Sequence, residues 1–370
     1  MYTGENMNRY HRLMLIFALV PAVHGFASEC DNWRAEHPDW IWCDDFETNR
    51  LASYFEYSSG GGLFARAASV GIYGSTGMKV IFPSGSVSPG SLHLAFGRTP
   101  SSYMRPVDAG TNDYRELYWR VYLRRQPGWI GGGADKLSRA IILANANWAE
   151  AAFGHVWSGG TGNNHLVLDP ASGTDTAGNL VTTQYNDFPN MRWLGYMSSI
   201  TPIFDSDHAG IWHCIEAHMR LNDAGVANGL FELWINGQLE ARRTNLNWVG
   251  SYNAYGINAV FLENYWGAGS PTTQERYFDN FVVSTKPIGP VSDTHTPPVI
   301  NNFAFNGTNY VLSFTTVPGR NYDGQRANDL TSGVWSTIAS NLPGTGGTIQ
   351  ITDTNAAGQA KRFYRVRTPN

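Results

Sequence analysis

Cysteine is scarce in this 370-residue chain: Cys30, Cys43 and Cys214 are the only three, and no C-x-x-C pair occurs. That excludes a disulfide-dense scaffold and a cysteine-clamped zinc site. The ten histidines show neither H-x-E-x-H nor H-E-x-x-H spacing, so a zinc hydrolase centre is not expected either. Charge is also thin, at 15% Asp, Glu, Lys and Arg with a net charge of −4 and no run of Lys or Arg. Nucleic acid and an anionic membrane surface are therefore poor partners, although local basic residues can still meet an acidic sugar. There is no repeat at solenoid or propeller period, and the Gly-rich stretch 129–133 lacks the G-x-x-x-x-G-K-S/T spacing of a phosphate loop.

What the chain does have is 40 glycines and 13% aromatic residues, a balance that suits short strands and many turns and predicts an all-β protein. Its length exceeds one usual domain. Residues 1–27 read as a secretory leader: Arg9, His11 and Arg12 precede the apolar run Leu13–Val23, and Gly25-Phe26-Ala27 is a small-residue cleavage pattern. The run is too short for a comfortable membrane span, so a secreted or cell-surface location is expected. Export permits a Cys30–Cys43 bridge, worth about 3 kcal/mol for a loop of that order. Cys214 is left over and reads as a small buried apolar residue. The segment 289–298 is Pro-rich and lacks apolar periodicity, which makes it a linker between 28–288 and a small alternating β-sandwich at 299–370.

Two stretches organise the larger unit. From His213 to Leu221, His213, Ile215, Ala217, Met219 and Leu221 share one face, and Trp212, Cys214, Glu216, His218 and Arg220 share the other. A turn of Asn, Asp and Gly follows, then Phe231, Leu233 and Ile235, which completes a hairpin. Tyr114 to Arg124 alternates in the same way: Leu117, Trp119, Val121 and Leu123 point one way, and Tyr118, Arg120, Tyr122 and Arg124 the other. Shorter strands are expected at 78–82, 92–96, 140–143, 153–157, 165–168, 195–197 and 257–263. The loop 169–190 is long and polar, and such loops are usually functional or mobile.

The hairpin pattern W-x-x-x-E-x-x-x-x-L-N, then G-x-x-x-L-W-I-N-G, resembles the central hairpin of concanavalin A-like jelly-roll proteins, in particular secreted polysaccharide lyases of the glucuronan and heparin lyase type. Asp44-Asp45-Phe46-Glu47 resembles that family's first strand, and Arg276 to Thr285 (RYFDNFVVST) its closing strand. The likeness implies a two-sheet antiparallel jelly roll whose first and last strands pair. It also implies a Ca²⁺ held by Asp45, Glu47 and Asp279, with carbonyls of the 71–77 turn, since hard oxygens suit that ion. The C-terminal unit resembles modules of large secreted bacterial proteins that end in F-Y-R-V, which implies surface retention without chemistry.

A lyase must neutralise a uronate carboxylate, remove the C5 proton and protonate the leaving oxygen. The two patterned strands offer Tyr118, Arg120, His218 and Glu216 for these catalytic tasks, with Tyr122, Arg124, Arg220, Trp234, Tyr265 and Trp266 to bind substrate. The partner expected is an acidic polysaccharide, and the protein is expected to act as a monomer. Two alternatives stand: a non-catalytic sugar-binding module using the same aromatics, and a glycoside hydrolase pairing Glu216 with Glu116 or Glu263. The hydrolase ranks lower because the E-x-D-x-E strand of the concanavalin A-like glucanases is missing.

Overall fold

A computed structural model of the chain describes residues 28–133, 135–159, 162–291, 298–306, 308–316, 321–330, 333–354 and 362–367. The leader expected at 1–27 and most of the linker lie outside the described residues. Two antiparallel eight-stranded sheets face each other. The first runs Gln238–Leu246, Gly229–Ile235, His213–Arg220, Glu116–Arg125, Gln274–Ser284, Gly77–Phe82, Phe64–Ala67, with Trp40–Asp44 also paired to Gln274–Ser284. The second runs Arg192–Trp193, Val167–Ser172, Glu150–Trp157, Lys136–Leu143, Ala259–Tyr265, Gly90–Ala95, Glu56–Ser58, with Met197–Ser198 on Val167–Ser172. The order is that of a jelly roll, and the first and last long strands pair as the motifs imply.

Alternation explains the core. Leu117, Trp119, Ile215, Met219 and Leu233 are all at most 2% exposed and pack with Leu137, Ala140, Ile142 and Leu262 of the opposite sheet. The Trp119 indole N–H donates to Ser138 Oγ at 3.0 Å across that core, so the large ring is buried with its polar atom satisfied. Cys30 and Cys43 are bridged, and Cys214 is a buried free thiol whose pKa burial pushes up to about 12. Beyond 298 two three-stranded sheets follow: Ile300–Phe305, Tyr310–Thr315, Thr348–Asp353, and Ser336–Pro343, Asn321–Ala327, Phe363–Arg367. Leu312, Phe314, Tyr322 and Ile351 form their own small core.

One strand differs in a way that matters. The stretch expected at 140–143 starts four residues earlier, at Lys136, and carries a register shift between Lys136 and Ser138. Such a bulge inserts a residue and re-aims the side chains beside it.

Candidate functional site

The outer face of the first sheet does not form the groove expected there. Tyr118 and His218 are together, their rings stacked at 4.0 Å, with His218 held between Glu232 and Glu116 at 2.8 Å each. Glu216, however, is 6% exposed, and its two oxygens accept the backbone N–H groups of Ile288 and Gly289 at 2.9 and 2.7 Å. Arg120, 1% exposed, pairs with Glu29 and donates to the Gly289 carbonyl at 3.0 Å. Tyr122 accepts from Val291 N–H, and Arg124 lies over Trp212 and Tyr277 and donates to the Val70 carbonyl. Chain segments from both ends of the domain occupy this face, so Arg120, Glu216 and Tyr122 meet protein rather than solvent. Trp234 is half-buried beside His218, and Arg220 is exposed with a bond to the Asn228 carbonyl. Trp266 is a correction: it is fully buried against Trp129 and Phe82 in the core and cannot stack on a sugar. Glu263 sits on the second sheet, on the far side of the sandwich from Glu116 and Glu216, so neither can pair with it for hydrolysis.

Titratable groups gather instead on the outer face of the second sheet. Cross-strand pairing sets His93, Phe261, Arg139, His155 and Asp169 in one row over five strands. The bulge puts Lys136 on the same face as Arg139, and both reach Glu263: Lys136 Nζ at 3.5 Å and Arg139 Nε at 2.9 Å. Arg139 is fully buried and also donates to Glu150 at 3.1 Å and to Asn186 Oδ1 at 2.9 Å, and bonds Tyr185. The Tyr185 phenol donates to Glu263 at 3.2 Å. Asn186, at φ 55°, turns its own N–H to Glu150 at 3.0 Å, so the end of the long polar loop is clamped onto the sheet.

Burial opposes the charge of Glu263, but Arg139 and Lys136 outweigh it and hold that carboxyl down at about 2. Burial raises Glu150 against the pull of Arg139, and it also lowers Lys136 and raises Tyr185. His155 is held neutral, well below the usual imidazole range, by burial and then by Arg139. Its ring stacks under Trp157 at 3.6 Å, 4.0 Å from Glu263, with no hydrogen-bond partner for either nitrogen among the described residues. Above this floor opens a cavity of about 540 Å³ whose lining includes Asp135, Lys136, Trp157, Asp169, Asn186, Phe188 and Tyr265. Tyr265, expected as a sugar-binding residue, is 39% exposed and pairs with Lys136 in the sheet, its ring centre 5.2 Å from Nζ.

Comparison with known proteins adds folds. Neither a protein-family profile nor a curated protein matches the chain. Among solved structures it is similar to the endo-β-1,4-glucuronan lyase of the fungus Trichoderma reesei, with 12% identity, TM-score 0.47, 67% of this chain and 96% of that one covered. It is also similar to a PL-14 alginate lyase from Aplysia kurodai (12%, TM-score 0.43, 67% and 99%) and an alginate lyase from a Chlorella virus (15%, 0.43, 67% and 100%). Identities this low leave the chemistry to be argued from the chain's own residues.

Lys136, Arg139, His155 and Tyr185 were not legible as a set. Period 2 puts Lys136 and Arg139 on opposite faces, and only the bulge unites them. The usable signal was the long polar loop ending in Gln184-Tyr185-Asn186, whose tip closes the site.

Asp45, Glu47 and Asp279 are hard oxygen donors of the kind calcium takes. Two of them address one turn: Asp279 accepts from Ile72 N–H at 2.7 Å and Ser75 Oγ at 3.1 Å, and Glu47 from Thr76 N–H at 2.6 Å. Asp45 turns instead to Arg50 at 3.0 Å, and among the described residues no three His, Cys, Asp or Glu side chains are arranged to hold a metal. Asp279 is buried with no ion-pair partner among the described residues, and burial raises its pKa well above the usual range. The donor chemistry fits a cation, while the three-carboxylate arrangement is not formed.

Proposed function

We propose that this protein acts on an acidic polysaccharide by β-elimination, in the cavity over the outer face of the second sheet. The observation that carries the reading is the adjacency of Lys136 and Tyr265 on the cavity wall, above a buried Arg139–Glu263–Tyr185 network that core packing alone does not require. Burying such charges is costly unless they are paired, and here each is fixed by the next. The uronate carboxylate sits at Lys136, and neutralising it makes the C5 proton acidic enough to leave. Tyr265, whose ring centre lies 5.2 Å from the Lys136 ammonium, acts as the base in its phenolate form and accepts that proton. The C4–O bond breaks as the C4=C5 double bond forms, and the same phenol returns its proton to the departing oxygen. Glu263 holds Lys136 in place, and Arg139 holds Glu263. Trp157 and Phe188 supply flat apolar walls for sugar rings.

Incubation with a panel of acidic polysaccharides should yield the ultraviolet absorbance of an unsaturated uronate. Lys136→Ala and Tyr265→Phe should each lower the rate about 10²–10⁴-fold without loss of folding. The aromatic lining also favours a second reading, a sugar-binding module. Retention of oligosaccharide with no unsaturated product from any polymer would select that reading.

A further inference from the structure

We infer that the cavity selects polymers in which a uronate is followed by a sugar that carries no acid group, and disfavours runs of consecutive uronates. This rests on the reading that the cavity binds an acidic polysaccharide, and it goes on to name the class. Among the described residues that line the cavity Lys136 is the only cation, and its charge is already shared with Glu263 at 3.5 Å. Two carboxylates, Asp135 and Asp169, line the same space. A single uronate can place its carboxylate at Lys136. The next sugar along the chain has no second cation to meet among these residues; the charged groups there are Asp135 and Asp169, beside the neutral Asn163 and Asn186, and like charges set together in a site penalise the wrong partner.

Both aspartates are arranged to accept from a sugar instead. Asp169 is held by one oxygen, which takes the Trp157 indole N–H at 3.2 Å, and its other oxygen accepts nothing among the described residues. Asp135 is likewise fixed by one oxygen, on the Gly267 N–H, which leaves the second for a donor. Hydroxyl or amine groups of a sugar stacked on Trp157 would supply the donors these oxygens lack. Arg139, the other cation nearby, cannot serve a second uronate because it is fully buried and its donors are taken by Glu150, Asn186, Tyr185 and Glu263.

The test is calorimetric binding on the full chain with Tyr265→Phe to suppress turnover. Its probes are two oligosaccharides of equal length, one alternating uronate with N-acetylhexosamine and one of uronate only. The alternating probe should bind at least about tenfold tighter, and Asp169→Asn and Asp135→Asn should each raise the affinity of the all-uronate probe about tenfold. Equal or tighter binding of the all-uronate probe overturns the inference, as does no binding of either probe or an unchanged gap in both variants. If the preference holds but wild type releases no unsaturated product, the elimination reading fails while this one stands.

Discussion

At the scale of single residues, the informative groups are those whose surroundings work against them. Asp169 lies half-buried in an aromatic wall, and burial raises its pKa to about 6 against the pull of the Trp157 N–H. A carboxyl raised in the folded state favours its neutral form there, so its contribution is fully present below the ordinary aspartate range and is lost as pH rises through about 6. Asp169→Asn, neutral at every pH, should therefore raise the melting temperature at pH 8 and leave it unchanged near pH 4; equal shifts at both would show that charge is not the cause. His155 poses the same question more strongly, since a neutral ring whose two nitrogens have no hydrogen-bond partner among the described residues is a cost that core packing alone does not explain.

At the scale of strands and loops, legibility followed locality. The hairpin from His213 to Ile235 was readable because period-2 alternation on two adjacent strands marks one buried face, and Ile215, Met219 and Leu233 are buried as read. The same rule misled on the other face. Tyr118, Arg120, Tyr122 and Glu216 were legible as an aligned polar set, but alignment does not say whether water or more protein lies above it. The actual gathering of charge draws on Lys136–Leu143, Glu150–Trp157, Ala259–Tyr265 and the 183–190 loop, which are spread from 136 to 265 along the chain and are joined through a bulge that no alternation rule reports. The turn at 72–76 offers a test at this scale. Because Asp279 is buried there without an ion-pair partner among the described residues, we propose that calcium stabilises the turn: excess chelator should lower the melting temperature and calcium should restore it. A melt indifferent to both would leave Asp45, Glu47 and Asp279 as hydrogen-bond acceptors only.

For the whole molecule, the first sheet's outer face acts as a dock for the chain's own segments. Glu216 receives two consecutive backbone N–H groups, a charge-assisted arrangement, and Glu216→Ala should cost about 2–3 kcal/mol and open the 286–291 stretch to protease while the second sheet's site keeps its activity. Unchanged melting and cleavage would mean that the segment is held elsewhere. One guanidinium, that of Arg120, holds both Glu29, before the first strand, and Gly289, after the strand Gln274–Ser284. The two ends of this stretch of some 260 residues thus meet at one side chain as well as along the paired strands Trp40–Asp44 and Gln274–Ser284, and the path of the backbone is nearly a closed loop. A domain closed in this way can be cut open at another exposed turn and rejoined through a short bridge between 29 and 289, or spliced whole into a surface loop of a different protein, with little change to either sheet.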